Sequence, residues 1–301
     1  MKKFILLFIS ILSVMADMSS CVIKSKAKDD KNLKITVLVD ESDSERVKEC
    51  GKSLMKRIEA FADSSAEMRI NADTIEFCMK LENQEDTVSL RKMLLSEGGC
   101  GIWECIATED INKYMNSLYS RCDSLTDLIQ KGTSDMGSVI GYVNLTDTSK
   151  VNGILSSEKA NKTLPDDYVF AWSAKPISEK EELMELFALK FNGDEGPSLG
   201  GGHIKATEAK IEYGMSCVSM KLDEEGANLF YELTNKNVSR QLAIVVDNKV
   251  YTSPMVNAPI KGGNVSITGD LTLSEAKALA AIISSEPIKS KITVDNIQSL
   301  Q

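Results

Sequence analysis

The sequence predicts an α+β fold in which a ferredoxin-like base carries a large inserted α+β subdomain. Three observations carry that expectation. Hydrophobic periods over residues 33–107 run strand, helix, strand, strand, helix, strand, which is the split βαβ plan. From Asp110 the period turns helical and the regular alternation is lost, as an insertion would require. The composition is globular, with 43% hydrophobic and 26% charged residues in 301, enough for one or two sizeable cores.

Leu33 to Val39 alternates apolar and polar residues before becoming continuous, as a strand entering a sheet does. Asp43 or Ser44 caps the next helix, which places Val47, Leu54, Ile58 and Phe61 on one face and runs to about Ala62. Met68 to Ile70 and Asp73 to Leu81 then form a hairpin turned at Asn71-Ala72-Asp73, with Ile75, Phe77, Met79 and Leu81 on one side. A second helix opens at Asp86 or Thr87, runs through Leu95 and is closed by Gly98-Gly99. Gly101 to Ala107 is expected as the last strand of this base, 33–109. Helical spacing of Ile111, Tyr114, Met115 and Leu118 follows, continuing through Leu125, Leu128 and Ile129 to Gly132. Gly137 to Leu145 reads as a strand, Thr148 to Leu155 as a short helix, and Tyr168 to Trp172 with Glu185 to Lys190 as a strand pair. Further on, Asp247-Asn248 suits the turn of a hairpin between Leu242 to Asp247 and Lys249 to Ser253. Ser274 is expected to cap a helix striped by Ala276, Leu279, Ala280 and Ile283.

The net charge is −9, with 44 acidic against 35 basic residues and no Lys/Arg cluster beside aromatics, which argues against nucleic acid as a partner. At the start, Met1-Lys2-Lys3 is followed by the apolar run Phe4 to Val14, too short for the roughly 20 residues of a membrane span. Residues 1–20 therefore read as a signal peptide. Met18-Ser19-Ser20-Cys21 resembles the lipobox of bacterial lipoproteins, which implies lipidation at Cys21; ordinary cleavage to a soluble periplasmic protein is the other reading. Residues 21–32 are charged and without an apolar period, as a flexible tether would be. Lys28-Asp29-Asp30 also resembles the acidic export signal behind the anchoring cysteine of Bacteroidota lipoproteins, which places the expected anchor in the outer membrane, on its periplasmic or surface face.

Gly196-Pro197-Ser198-Leu199 with Gly201 and Ile204 is followed by Met220-Lys221-Leu222-Asp223-Glu224-Glu225-Gly226-Ala227 and Phe230. Leu242 to Asp247, Ser253-Pro254, Ile260, Gly262-Gly263, Ile267-Thr268-Gly269 and Thr272 to Leu279 then come in order. Together these segments resemble the first large periplasmic domain of SecD, the membrane partner of the Sec protein-export channel. The resemblance implies a base at 33–109, a head at 110–285 whose stretch 110–190 is divergent, and a return strand in 286–301 around Lys291 to Val294. It also implies that the head meets emerging polypeptide, with the exposed hydrophobics Tyr251, Pro254, Met255, Val256 and Ile260 as a candidate surface. In that family, membrane helices with the acids of a proton relay follow this domain. The sequence ends at Gln301 without them, so the expectation is a non-catalytic binding module for polypeptides or an envelope partner, held at the membrane by its lipid. A surface or assembly lipoprotein that reuses the fold without a Sec role is the alternative.

No cofactor, metal or enzymatic activity is expected. His203, the single histidine, follows Gly200-Gly201-Gly202, but the stretch lacks the Gly-Lys-Ser/Thr ending of a phosphate loop and the partners of a triad. These glycines are expected to supply positive φ at a turn that opens the next helix. Asp223-Glu224-Glu225 suits a helix N-terminus better than calcium, and Asp166-Asp167 after Pro165 suits a turn. Trp103 and Trp172 read as core. The six cysteines beyond Cys21 are scattered, allow 15 pairings and read mostly as small buried hydrophobes; Cys100 and Cys105 lack zinc-ligand spacing.

Overall fold

A computed structural model describes residues 31–83, 86–131, 137–177, 180–192 and 196–300. The expected signal peptide, Cys21 and nearly all of the tether lie outside the described residues. The first strand, β1 (Leu33–Asp40), buries its alternate residues Leu33, Ile35, Val37 and Val39. Helix α1 (Ser44–Ala62) follows, with the Asp43 carboxylate accepting the Glu45 amide as its cap. The hairpin β2 (Glu67–Asn71) and β3 (Thr74–Met79) turns where Ala72 takes a positive φ, and helix α2 is Thr87–Leu95.

The base sheet is closed by a strand from the far end of the chain, β15 (Lys291–Ser299), which pairs antiparallel along all of β1. The order β15-β1-β3-β2 is the ferredoxin-like one. This corrects the sequence expectation for β4 (Cys100–Cys105), which joins a different sheet. The physical reason lies just before it: Gly98, at φ 92, turns the chain away from the base, and the Asp247 carboxylate accepts the Gly98 and Gly99 amides at 2.7 and 2.9 Å. The insertion thus starts at the end of α2, and residues 101–109 leave the base.

Helices α3 (Thr108–Tyr119) and α4 (Asp123–Leu128) lead to β5 (Gln130–Lys131) and β6 (Val139–Asn144). Helices α5 (Thr148–Leu155) and α6 (Glu158–Asn161) precede β7 (Tyr168–Ser173) and β8 (Leu183–Lys190). Next come β9 (Leu199–Gly200), β10 (Ile204–Glu212), β11 (Met215–Leu222) and α7 (Glu224–Lys236). The chain finishes its head with β12 (Leu242–Val246), β13 (Lys249–Thr252), β14 (Asn264–Thr268) and α8 (Leu273–Ile283).

The eight-stranded sheet runs β5-β6-β8-β7-β13-β12-β4-β9, and a β8–β4 pairing closes β8, β7, β13, β12 and β4 into a barrel. Its interior holds Cys105, Ala171, Phe187, Leu189, Ala243, Val245 and Val250. Strand alternation sends the intervening residues outward on both sides: Leu186 and Ala188 of β8 face the helical insertion, while Leu242, Ile244 and Val246 of β12 face the core shared with the base. That is why both strands read as continuous apolar runs.

Base and head are joined through Arg57, whose side chain is fully buried. Its Nε donates to Ser285 Oγ at 2.7 Å, Nη1 to the Met93 carbonyl at 3.2 Å and to that of Ser96, and Nη2 to that of Glu97 at 3.0 Å. The ends of α2 and α8 are thereby tied to the middle of α1, and Ser96 Oγ also donates to Asp247. Burial lowers the Arg57 pKa to about 10, with the nearby Asp247 charge opposing the shift, so the guanidinium remains charged at neutral pH.

Two local expectations are corrected. Thr272, not Ser274, caps α8, because its hydroxyl accepts the Glu275 amide while the Glu275 carboxylate returns to the Thr272 amide, a reciprocal capping box. The Ser274 hydroxyl is instead buried with no hydrogen-bond partner among the described residues. Residues 201–203 form a 3-10 turn leading into strand β10, without positive φ at Gly200, Gly201 or Gly202. Gly201 is required by space, since a Cβ there would fall 2.9 Å from the Cys100 carbonyl oxygen.

Candidate functional site

The segment between β13 and β14 is a loop held at many points. The Pro254 carbonyl accepts the Leu242 amide at 3.2 Å, Val256 exchanges backbone bonds with Arg240 and Ser239 at 2.9 and 2.8 Å, and Gln241 Nε2 donates to the Ser253 carbonyl at 2.7 Å. On its other side the Ile260 amide donates to Thr234 Oγ1 at 2.9 Å, fixing the loop to α7. A groove of ≈ 570 Å³ opens beneath this loop. Ile102, Phe230, Leu242, Ile244 and Val265 wall it, and Lys261 is its one charged lining residue. The Lys261 ammonium stands 5.2 Å from the centre of the Tyr231 ring.

Of the predicted surface, Pro254, Met255, Val256 and Ile260 line this groove, so the structure brings four of the five residues together. They are not equivalent. Pro254, Met255 and Ile260 are exposed at its mouth, whereas Val256 is only 5% exposed and anchors the loop to the core. Tyr251 lies apart, half-buried in a second cavity of ≈ 510 Å³ with Asp247, Leu271, Glu275 and Leu279. Burial there, beside the Asp247 and Glu275 carboxylates, pushes its hydroxyl up to about 12. The expectation of one exposed strip from Tyr251 to Ile260 is thus corrected: β13 turns Tyr251 toward α8 before the loop begins. The walls Phe230, Leu242 and Ile244 read in the sequence only as core, because a period cannot tell a core face from the lining of an open groove.

His203 meets one acid. Its Nδ1 lies 3.3 Å from Asp223 Oδ1, and Asp223 caps α7 through a 2.7 Å bond from the Gly226 amide. That amide, with His203 and Lys205, holds the Asp223 carboxyl below its usual range. A Cβ on Gly226 would come within 2.6 Å of His203 Cβ, so ring and helix start pack directly together, as a structural contact. Trp103 packs against Phe191 at 5.8 Å between ring centres, and Trp172 donates from Nε1 to Asn152 Oδ1 at 2.9 Å. Cys50, Cys105 and Cys217 are buried, and all six described cysteines are free. Among the described residues no group of three or more His, Cys, Asp or Glu side chains could hold a metal ion, and no helix is long and apolar enough to cross a membrane.

Residues 190–289 match the family described as SecDF, P1 head subdomain. The protein translocase subunit SecD of Rhodothermus marinus is 32% identical over 161 residues, covering 52% of this chain and 25% of the relative. That of Acidaminococcus fermentans is 40% identical over 108 residues, covering 35% of this chain and 26% of the relative. The chain therefore spans about a quarter of the length of these curated relatives. A crystal structure of SecDF in a super-membrane-facing form superposes with a TM-score of 0.52 at 20% identity, covering 90% of this chain and 30% of that one. The likeness covers nine tenths of this chain, and it shows the fold.

Proposed function

We propose, for a chain that carries a SecD/SecDF-type periplasmic domain, that it is a non-catalytic export accessory of the bacterial envelope which holds extended apolar polypeptide segments in the groove beneath the loop 253–263. One observation carries the reading: exposed Pro254, Met255 and Ile260 rim an open apolar groove whose walls belong to four different elements, β4, α7, β12 and β14, so a ligand entering it meets a preformed surface. The relatives, named as translocase subunits, supply the class of ligand. Of its polar lining residues, Thr234, Asn264 and Ser266 already bond within the fold, which leaves apolar contact to dominate and suits a binder of many unfolded sequences. Its single lysine at the rim favours segments with an acidic flank. The residues before β1 supply the anchor, through a lipid on Cys21, and hold the domain against the membrane.

Site-specific photocrosslinking from residues 257 and 258, exposed positions that line the groove, in envelopes exporting an unfolded reporter tests it. Capture of the reporter above background is expected, reduced at least tenfold by Met255→Asp together with Ile260→Asp while circular dichroism stays native. Equal capture by that variant, or no capture by either protein, would remove the reading. The anchor is tested separately by labelled palmitate, which the wild-type chain takes up and Cys21→Ser does not.

A further inference from the structure

β10 is the outer strand of the three-stranded sheet β10-β11-β14. Among the described residues no backbone bond joins residues 205–212 to any strand but β11. This open edge ends in an apolar tip: Tyr213 is 100% exposed, Ile211 61% and Met215 58%. Natural sheets cover or distort such edges, and here only a bulge between Ile204 and Ala206 does so, leaving the remaining length regular.

The hairpin geometry decides which backbone groups are free. Glu212 pairs with Met215 across the two-residue turn Tyr213-Gly214, both at positive φ. In such a hairpin the pair flanking the turn exchanges both hydrogen bonds. Glu212, Lys210 and Glu208 therefore use their backbone groups on β11, and Ile211, Ala209 and Thr207 present theirs to solvent. An antiparallel copy of β10 offers the same three residues in return.

We propose that β10 pairs with β10 of a second copy of this chain about a twofold axis through Ala209, joining the two small sheets into one of six strands. Charge selects the register among the three centred in the strand. An axis at Glu208 sets two glutamates against each other, and an axis at Lys210 sets two lysines together. The axis at Ala209 places Glu208 opposite the partner's Lys210 and Lys210 opposite the partner's Glu208, two favourable cross-strand pairs. In one chain Lys210 Nζ already holds Glu212 at 2.7 Å, so the pairing sets each lysine between two acids. On the opposite face the small Ala209 meets itself and Ile211 comes against the partner's Thr207; within each chain Thr207 Oγ1 donates to the Ala280 carbonyl of α8. The interface is isologous and closes at two copies, so it yields a dimer and not a filament.

Sedimentation equilibrium of the purified protein is expected to show a reversible monomer–dimer equilibrium. Glu208→Lys or Lys210→Glu alone turns two attractive pairs into two repulsive ones and is expected to weaken the dimer about tenfold. The double exchange Glu208→Lys with Lys210→Glu restores the affinity. Mild oxidation of Ala209→Cys is expected to give a disulfide-linked dimer, since residues paired on the axis stand about 5.5 Å apart between Cα atoms, within disulfide reach. A monomer at every concentration would overturn the proposal, as would a dimer indifferent to both single charge variants. Cross-linking through Glu208→Cys or Lys210→Cys in place of Ala209→Cys would overturn the register. So would a monomer whose residues 207–211 gain amide protection only when mixed with an unfolded polypeptide, the sign that the edge receives a foreign strand.

Discussion

The two outer sides of the barrel are packed in different ways. On one side β12 shares a continuous core with the base, in which Leu242, Ile244 and Val246 meet α8, the sheet β10-β11-β14 and, through them, α1 and β1. On the other, β6 and β8 are covered by α3 to α6, whose Ile111, Met115, Leu118, Leu125 and Val151 form a core of their own. The first core is assembled from segments more than two hundred residues apart; the second is made almost wholly from residues 106–188. A core built from distant segments couples them, whereas a core built locally can open alone. This difference predicts how far damage should spread from each side.

Arg57→Ala is the largest expected effect. It takes one donor from the carbonyls of Met93, Ser96 and Glu97, of which Met93 and Glu97 keep the Ser96 and Ile288 amides, and opens a cavity at the joint of α1, α2 and α8. Removing a buried, multiply bonded guanidinium is expected to cost about 3–5 kcal/mol. Urea unfolding should show one cooperative transition at a much lower midpoint, with base and head lost together; a variant within 1 kcal/mol of wild type, on the order of ordinary surface changes, would deny the joint this role. Gly98 belongs to the same structure, since a Cβ on it would fall 2.4 Å from Arg57 Nη2.

Leu118→Ala empties a fully buried position in the local core and is expected to cost about 2–5 kcal/mol. Here the readout is spread. Native-state hydrogen exchange should quicken across α3 to α6 and leave β1, β3 and α8 protected. Equal loss of protection in the base would merge the two cores into one cooperative unit.

What the sequence revealed follows the same division. Elements with a strong period, a local cap or a turn signal, such as α1 with Asp43, α5 with its apolar spacing, and the β12–β13 hairpin turned at Asp247-Asn248, were readable because their signals lie within a few residues. The strand that closes the base was harder to place, since two segments, Cys100–Cys105 and Lys291–Ser299, each have strand character and only pairing with β1 chooses between them. Arg57 was hidden by its type, although its spacing from Leu54 and Phe61 puts it on the apolar face of α1. In the groove, Met255 and Ile260 were readable as loop hydrophobics, while Phe230 and Ile102 reach it only through the tertiary fold.

Within the shared core, the start of α8 offers a smaller contrast. Thr272→Ala removes a reciprocal cap and is expected to cost about 1 kcal/mol. Ser274→Ala, two residues on, removes a buried hydroxyl with no partner and should be neutral or slightly stabilising. Thermal unfolding of the two variants side by side would separate them; an equal loss in both would return the capping role to Ser274.

The smallest effect is the pH dependence carried by the same helix start. Burial raises the Glu275 pKa, but its bonds with Lys175 at 2.7 Å and with Thr272 outweigh that and lower it overall. A carboxyl whose pKa is lower folded than unfolded binds fewer protons in the native state, so its contribution is complete above the unfolded pKa and is lost as pH falls through the folded one. Wild-type stability should therefore drop on acidification below the usual glutamate range, and Glu275→Gln should lie below wild type at neutral pH and converge with it in acid. Lys175 also donates to the Asp270 carbonyl at 2.6 Å, and it lies beside β7 and β13 of the barrel, so the pair ties α8 to the barrel as well as to its own cap. Lys175→Met should reproduce the same convergence, because it removes the charge that keeps Glu275 ionised. If the gap between variant and wild type stays constant from neutral to acid pH, the pair contributes by packing alone.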